Sequence, residues 1–164
     1  MPTPTIRPLD PAADLPLVEG FYAEAPAYWL FAEGKAPDAA KAVAFFTDGP
    51  PGCDPARSYR LGLFDGDGLG GVAELSFGFP LPEDAYLGLM ILAPCLQGRG
   101  HGARFLAHVE ALARAARAPR LYLAVIQANT RARAFWEREG FRATGLSGLD
   151  ADTGHRLHRL VKPL

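Results

Sequence analysis

The amino-acid sequence predicts an α/β fold built on a mixed sheet, and three observations support this prediction. Short apolar runs that alternate as strands do are separated by segments whose apolar residues recur at helical spacing. Residues 65–68, Asp-Gly-Asp-Gly, are typical of a hairpin turn, which joins antiparallel strands. A helical segment connects the strand that ends near Leu92 to the strand that begins near Arg120, so these two strands should run parallel.

Proline and glycine mark the boundaries of most predicted elements. Pro26 ends the first helix, Pro37 suits the first position of the second, and the proline- and glycine-rich residues 48–55 should form a loop. Residues 27–36 are rich in aromatic side chains, but their apolar residues follow neither the helical nor the strand period. The patterns predict strands over residues 5–9, 57–64, 69–79, 86–92, 120–126, 141–148 and 155–160, and helices over about 12–25, 37–46 and 102–117 and from 129 onward.

Length and composition indicate one globular domain that spans residues 1–164. Apolar residues make up 49% of the chain and charged residues 21%, which is typical of soluble proteins. No apolar run is long enough to cross a bilayer, and the first residues lack the basic and apolar regions of a signal peptide. The two cysteines, Cys53 and Cys95, have no metal-binding spacing. We therefore expect a cytoplasmic protein without a membrane partner or a bound metal.

The net charge of −1 conceals an uneven distribution along the chain. Residues 1–97 contain 13 acidic and 5 basic side chains, whereas residues 98–164 contain 5 acidic and 12 basic ones. A basic half favours a phosphate-bearing ligand, and an acidic half favours a cationic partner such as an amine. The basic residues are scattered and form no known nucleic-acid-binding signature, so no nucleic-acid partner is expected.

Residues 92–102, with the sequence LAPCLQGRGHG, give the strongest indication of a binding site. An apolar strand ends here, alternating glycines follow, and a helical pattern begins. Glycines allow the backbone N–H groups to turn inward, and the start of the helix adds unpaired N–H groups and the positive end of the helix dipole. Such a strand, turn and helix together form a site for an anion, most often a phosphate.

Two of the phosphate-binding motifs that compete for this segment fit it poorly. A Walker loop is excluded because residues 102–104, Gly-Ala-Arg, supply neither its lysine nor its hydroxyl group. The dinucleotide pattern is met by Gly98-x-Gly100-x-x-Ala103. However, the next strand is followed by residues 127–129, Gln-Ala-Asn, which provide no carboxylate for a ribose.

A third motif, Gln-x-x-Gly-x-Gly, is met by Gln97, Gly100 and Gly102. It resembles the acetyl-CoA pyrophosphate loop of the GNAT superfamily of N-acetyltransferases. Residues 129–141, NTRARAFWEREGF, look like the second signature of that family, Asn-x-x-Ala-x-x-aromatic-Tyr followed by Gly-Phe. The resemblance extends over roughly residues 59–145, and the two motifs occur in the family's order.

The resemblance implies the acyl-CoA N-acyltransferase fold, a mixed, mainly antiparallel sheet with helices on both faces. In that family two splayed strands open a cleft for acetyl-CoA, backbone N–H groups of one strand polarise the thioester, and the glycine loop holds the pyrophosphate. The residues that the resemblance assigns to acetyl-CoA binding are Met90, Ile91, Leu92, Gln97, Gly98, Arg99, Gly100, His101, Gly102, Ala103, Asn129, Ala132, Phe135 and Trp136.

Some of these residues also have structural explanations. Asn129 is a good helix N-cap. Phe135 and Trp136 are adjacent and cannot face the same way, so one should pack in the core and the other border the thioester. Trp136 stands where the family often has a tyrosine that acts as the general acid, and an indole N–H cannot supply a proton as a phenol does. Water, Tyr86 or Tyr122 could supply the proton instead, and the sequence does not select among them; Tyr86 is taken as the candidate acid.

Glu74 is the candidate general base. It lies in the middle of an apolar strand, where a charge is uncommon unless it faces solvent or a cleft. Together with Tyr22, Tyr28 and Trp29 it suggests a small cationic amine held by carboxylates and aromatic faces. The acceptor site should then lie between the first two helices and the strand that carries Glu74.

The expected function is the transfer of the acetyl group of acetyl-CoA to a primary amine of a small molecule by direct attack. The formation of a homodimer is left open. Two alternatives also remain open at this stage. One is an acyl-CoA-binding sensor or sequestering module with little turnover, which Trp136 suggests, and the other is a dinucleotide-binding protein.

Overall fold

The computed structural model describes residues 2–164 as a seven-stranded sheet with helices on both faces. The strands are β1 (Thr5–Pro8), β2 (Tyr59–Asp65), β3 (Gly68–Phe77), β4 (Ala85–Leu92), β5 (Arg120–Ile126), β6 (Arg142–Leu149) and β7 (Arg156–Pro163). The helices are α1 (Leu15–Glu24), α2 (Ala27–Glu33), α3 (Ala39–Thr47), α4 (His101–Ala115) and α5 (Thr130–Arg138). Short 3-10 turns form at Pro55–Arg57 and Pro94–Leu96.

The strands follow the order β1-β2-β3-β4-β5-β7-β6 across the sheet. Neighbouring strands are antiparallel except β4 and β5, which run parallel because α4 returns the chain between them. The predicted fold class, a mixed and mainly antiparallel sheet with one helix-connected parallel pair, is therefore confirmed.

β4 and β5 are paired at one end only. The register joins Ala85 to Leu121 and Tyr86 to Tyr122, and the described residues show no pairing between the two strands beyond that point. The opposite edge of β4 remains paired with β3 along its length. The edge of β4 that faces β5 therefore keeps unpaired backbone groups and borders a cleft within the sheet.

Two apolar clusters hold the helices on opposite faces of the sheet. One cluster includes Phe105 of α4, and the other includes Trp29 of α2. The adjacent β3 residues Val72 and Ala73 belong to different clusters, as expected when successive side chains of a strand alternate between faces. The helices α1, α2 and α3 thus cover one face, and α4 and α5 cover the other.

The helix α2 is absent from the sequence-based prediction. Seven residues are too few to show a helical period clearly, and this helix has apolar side chains on several sides, since Trp29 is buried while Leu30 and Phe31 are exposed. Gly34 ends the helix in the left-handed conformation, with φ of 77°. The packing of Trp29 on the sheet, rather than a local pattern, stabilises this element.

The helix α1 begins at Leu15, later than the predicted start near residue 12. The carboxylate of Asp10 accepts hydrogen bonds from the backbone N–H groups of Ala12 and Ala13 at 3.0 and 2.6 Å. This acidic residue therefore closes a turn that precedes the helix instead of beginning the helix itself.

Candidate active site

A cavity of about 520 Å³ lies between the sheet and the helices α1 to α3. Tyr22 of α1 and Trp29 of α2 form part of its wall, whereas Tyr28 packs edge-on against the Trp29 ring and is not among the lining side chains. The sheet contributes Glu74 from β3 and Tyr86 from β4. The fold thus brings the candidate base and the candidate acid to one cavity.

Glu74 is a buried carboxylate, 5% exposed. It accepts a hydrogen bond from the Ser76 hydroxyl, and its Oε1 lies 3.8 Å from Nη2 of Arg60. Burial raises the pKa of Glu74 above the ordinary range of a glutamate, and the opposing effects of Ser76 and Arg60 are smaller. A carboxyl group with a raised pKa that faces an open cavity is suited to accept a proton from a substrate.

A β-bulge in β4 makes room for the Glu74 side chain. Glu74 pairs with Leu89, whereas the following residue of β3 pairs with Leu87, so Gly88 is an extra residue on β4. A Cβ atom on Gly88 would overlap Oε2 of Glu74 and approach its Cδ to 3.0 Å. Glycine at this position lets the carboxylate lie directly against the backbone, and any larger residue would displace the Glu74 side chain.

Arg60 joins the wall of the cavity to the sheet. Its Nη1 donates to the backbone carbonyls of Phe45 and Asp48, both at 2.6 Å, and its Nε donates to the hydroxyl of Ser58 at 2.8 Å. These bonds hold the end of α3 and the following loop against β2. Because most donors of this 7% exposed guanidinium group are used internally, Arg60 supports the surroundings of Glu74.

Arg159 of β7 also lines the cavity, near Tyr86. Its guanidinium carbon lies 4.9 Å from the centroid of the Phe79 ring, which packs edge-on against the ring of Tyr86 at 5.2 Å. Burial raises the pKa of the Tyr86 hydroxyl, and Arg159 opposes this shift. The hydroxyl is therefore protonated at neutral pH.

The cavity reaches the start of the cleft at the bulge, because residues 88–89 line the cavity and lie beyond the last residues of β4 that pair with β5. Backbone alternation along β4 decides which N–H groups face the cleft. The N–H of Ala93 donates to β3, so the N–H of Ile91, two residues earlier, also points toward β3. The N–H groups of Met90 and Leu92 therefore face the cleft.

The glycine loop leads from the end of β4 to the start of α4. Gly98 and Gly100 adopt the left-handed conformation, with φ of 74° and 83°, which glycine takes without strain. Gly100 is the N-cap of α4, and no described side chain caps this helix. By contrast, α5 is capped by Asn129, whose Oδ1 accepts from the N–H of Ala132 at 3.1 Å. The first turn of α4 thus keeps N–H groups for a ligand.

The side chains near the loop have different roles. Gln97 donates from Nε2 to the backbone carbonyl of Leu92 at 3.1 Å, which closes the loop onto the end of β4. A Cβ atom on Gly102 would lie 3.1 Å from the ring of Phe135, so a small residue allows α4 and α5 to approach closely. Trp136, 9% exposed, packs in the apolar core. Of the two adjacent aromatic residues, Phe135 is the one beside the loop.

Three remaining loop residues surround the start of α4. Arg99 is exposed, and His101 and Ala103 are half-buried in or just before the first helical turn. The exposed Arg104 follows one residue later. These positions place positive charge near the uncapped N–H groups, which favours an anionic ligand.

Sequence reasoning did not identify Arg60, Gly88 or Arg159. The first two interrupt apolar strands, and a charge or a glycine inside a strand is a usable signal of a special environment. Arg159 has no such signal, because it is one of many arginines in the C-terminal half. The charge distribution along the chain is also a poor guide here, since Lys41, Arg60 and Arg159 line the cavity together with Glu74.

Comparisons with known proteins identify the family and the fold. Residues 19–141 match the model of the acetyltransferase (GNAT) family. An acetyltransferase from Thermus thermophilus has 29% sequence identity and a TM-score of 0.76, over 99% of this chain and 98% of that chain. The ribosomal-protein-S18-alanine N-acetyltransferase from Escherichia coli shares the fold, with 19% identity and a TM-score of 0.72 over 98% and 94%. The PaiA N-acetyltransferase from Thermoplasma acidophilum, in complex with coenzyme A, has 18% identity and a TM-score of 0.70 over 99% and 100%.

The chain belongs to the GNAT acetyltransferase family, because the family model matches well over half of its length. This assignment replaces the dinucleotide-binding alternative, and the acyl donor of the family is acetyl-CoA. The residues present fit that substrate. The uncapped start of α4 offers N–H groups to a pyrophosphate, and the open edge of β4 offers N–H groups to an extended acyl chain.

Residues 2–164 contain neither a membrane-spanning helix nor a cluster of metal-binding side chains. No helix in this part of the chain has the length and apolarity needed to cross a membrane. No group of three or more His, Cys, Asp or Glu side chains in the same residues is arranged to hold a metal ion.

Gly100 is a suitable position for testing the anion site, because an added Cβ would meet nothing within 4 Å. We expect Gly100→Asp to weaken the binding of CoA by about tenfold or more, since a carboxylate at the helix start repels the pyrophosphate. Gly100→Asn is the matched control, because it has the same size and the same left-handed backbone without the charge. Calorimetric titration with CoA measures both variants, and equal losses would contradict an electrostatic role for the loop.

The raised pKa of Glu74 predicts how stability depends on pH. The folded protein binds this proton more tightly than the unfolded chain does. The contribution of Glu74 to the free energy of unfolding is therefore fully present below the ordinary glutamate pKa and is lost as the pH rises through the raised pKa. Glu74→Gln remains neutral at every pH.

We therefore expect the free energy of unfolding of the wild type, relative to that of Glu74→Gln, to decrease as the pH rises above the ordinary glutamate pKa of about 4.3. Urea titrations followed by circular dichroism at several pH values measure this difference. A difference that stays constant with pH would show that burial does not raise the pKa of Glu74.

Proposed function

We propose that this protein transfers the acetyl group of acetyl-CoA to the primary amine of a small molecule by direct attack. The observation that carries this proposal is that the cavity holding the buried Glu74 carboxylate reaches the β4 bulge, where β4 has separated from β5 and the cleft begins. The cleft suits the extended acyl donor. A cavity of about 520 Å³ has the size of a small-molecule site.

The acceptor amine approaches the thioester from the cavity. An amine must be unprotonated to attack, and Glu74 receives its proton directly or through a water molecule. As the C–N bond forms and the C–S bond breaks, negative charge develops on the thioester oxygen. The N–H groups of Met90 and Leu92, which face the cleft, donate hydrogen bonds to that oxygen. The sulfur of CoA leaves with the electron pair of the C–S bond.

Tyr86 is the candidate for protonating the departing thiolate. Its hydroxyl is kept protonated by burial, whereas Trp136, at the family's usual tyrosine position, lies in the core and has no ionisable hydroxyl. A thiolate with an ordinary pKa of about 8.5 is a tolerable leaving group even without an acid. The contribution of Tyr86 to the rate should therefore be smaller than that of Glu74.

In this proposal the glycine loop binds the pyrophosphate end of acetyl-CoA. Residues 97–103 and the first turn of α4 hold the pyrophosphate, with Arg99 and Arg104 adding positive charge. His101 lies on the phosphate side of the site and not in the acceptor cavity. Phe135, beside the loop, borders the pantetheine arm.

A second candidate function is that of an acyl-CoA-binding sensor with little turnover. The observation that favours it is the burial of Trp136, which leaves the family's usual acid position without a proton donor. Turnover distinguishes the two functions. Both require acetyl-CoA binding, but only the enzyme releases free thiol in the presence of an amine.

Release of free thiol from acetyl-CoA across a panel of amines tests the proposal. We expect turnover with at least one small primary amine, and a kcat/KM about 100-fold lower in Glu74→Gln, as is usual when a general base is removed. The affinity for acetyl-CoA, measured by calorimetry, should not change, because Glu74 faces the cavity. Glu19→Gln, exposed on α1, is the matched control. Binding of acetyl-CoA without turnover of any amine would favour the sensor.

Gly88→Ala tests the same carboxylate without removing it. The added Cβ displaces the Glu74 side chain, so we expect a loss of kcat/KM comparable to that of Glu74→Gln and little further loss in the double variant. Gly20→Ala on α1, where a Cβ meets nothing within 4 Å, is the matched control. If the double variant lost as much kcat/KM as the two single variants combined, a shared role of Gly88 and Glu74 would be contradicted.

A further inference from the structure

Two of the cations that line the acceptor cavity already have partners. Lys41 pairs with Glu33, and its Nζ lies 4.8 Å from the centroid of the Trp29 ring. Arg60 lies 3.8 Å from Glu74 and donates to two backbone carbonyls. Both cations therefore have a carboxylate nearby, although Nη2 of Arg60 makes no hydrogen bond within the described residues.

Arg159 lines the same cavity without a carboxylate partner. Among residues 2–164, no Asp or Glu oxygen lies within 4.0 Å of its guanidinium nitrogens. The group is half-buried and rests over the Phe79 ring at 4.9 Å. Arg159 also interacts with the Tyr86 hydroxyl, and its remaining N–H donors match a carboxylate in a bidentate arrangement.

The fold places Arg159 and Glu74 so that one ligand can reach both. They line one cavity from β7 and β3, which are separated in the sheet by β4 and β5. Arg159 pairs with Ala124 of β5, in the part of that strand that has separated from β4. A ligand amine at Glu74 lies beside the bulge and the cleft, and a second group of the same ligand lies toward Arg159.

We infer that the acceptor is an amino-acid-like molecule, whose carboxylate binds Arg159 while its amine lies at Glu74. This inference rests on the proposed function and narrows its substrate class. A purely cationic amine would be attracted by Glu74 and Asp48 in the lining, but it would leave Arg159 without a counter-charge. A molecule with one amine and one carboxylate provides the missing partner and presents the amine to the base.

A panel that pairs each common amino acid with its primary amide tests the inference. We expect the wild type to acetylate at least one acid faster than its amide, measured as kcat/KM by thiol release. In Arg159→Gln the ratio of acid to amide should fall about 10- to 100-fold, as expected for the loss of charge-assisted hydrogen bonds. Comparing this ratio between variants cancels the different reactivities of the two amines.

Two further variants complete the design. Arg156→Gln removes an exposed arginine of the same strand that donates only to the Ser147 hydroxyl, and should leave the ratio unchanged. Arg159→Lys keeps the charge without the bidentate donors and should give an intermediate ratio. Circular dichroism verifies that each variant is folded.

Failure of this inference can be distinguished from failure of the proposed function. Acetylation with equal or greater preference for the amide, or a ratio unchanged in Arg159→Gln, overturns the inference and leaves the acetyltransferase proposal intact. Thiol release with no member of the panel or any other amine overturns the proposed function. In that case calorimetric binding of the amino acids to CoA-loaded protein decides the role of Arg159. Binding that is lost in Arg159→Gln supports a carboxylate site, and no binding to the wild type overturns it.

Discussion

The separation of β4 from β5 is the constraint on which the site depends. Pairing at Ala85 and Tyr86 keeps both strands in one sheet, and the loss of pairing beyond them leaves polar backbone groups along β4 unsatisfied. Such groups are unfavourable inside a protein unless water or a ligand pairs with them. The parallel direction of the two strands requires the crossover helix α4, whose uncapped start lies at the end of β4. The cleft and the anion site therefore arise from one topological feature.

The buried carboxylate of Glu74 is a second energetically unfavourable feature of the fold. Desolvation disfavours its charged form, and neither Ser76 nor Arg60 compensates fully. The protein accommodates the group with a bulge at Gly88 and with an arginine that is also bonded to the cavity wall. A residue that is unfavourable for stability yet supported by several neighbours is typical of a functional site.

Local features explain why much of the site can be predicted from the sequence. Gly98 and Gly100 take positive φ values, and Asn129 caps a helix. The identity of each of these residues therefore predicts the local backbone conformation at its own position. The helix α2 is different, because its stability comes from the packing of Trp29 on a sheet formed by distant residues. Spacing alone also cannot decide that Phe135 lies beside the loop and Trp136 in the core. Both residues are aromatic and they are adjacent in the chain, so the pattern fits either arrangement.

The sequence by itself determined the order along the chain of the strands and of every helix except α2, the parallel pair, and the glycine loop with its helix. These depend on periodicity, turn chemistry and residues close together in the chain. Only the tertiary structure decided that Glu74 and Arg159 share a cavity, that Gly88 is a bulge beside the carboxylate, and that the N–H of Ile91 points away from the cleft. Each of these depends on strand register, and register is set by contacts between residues far apart in the sequence.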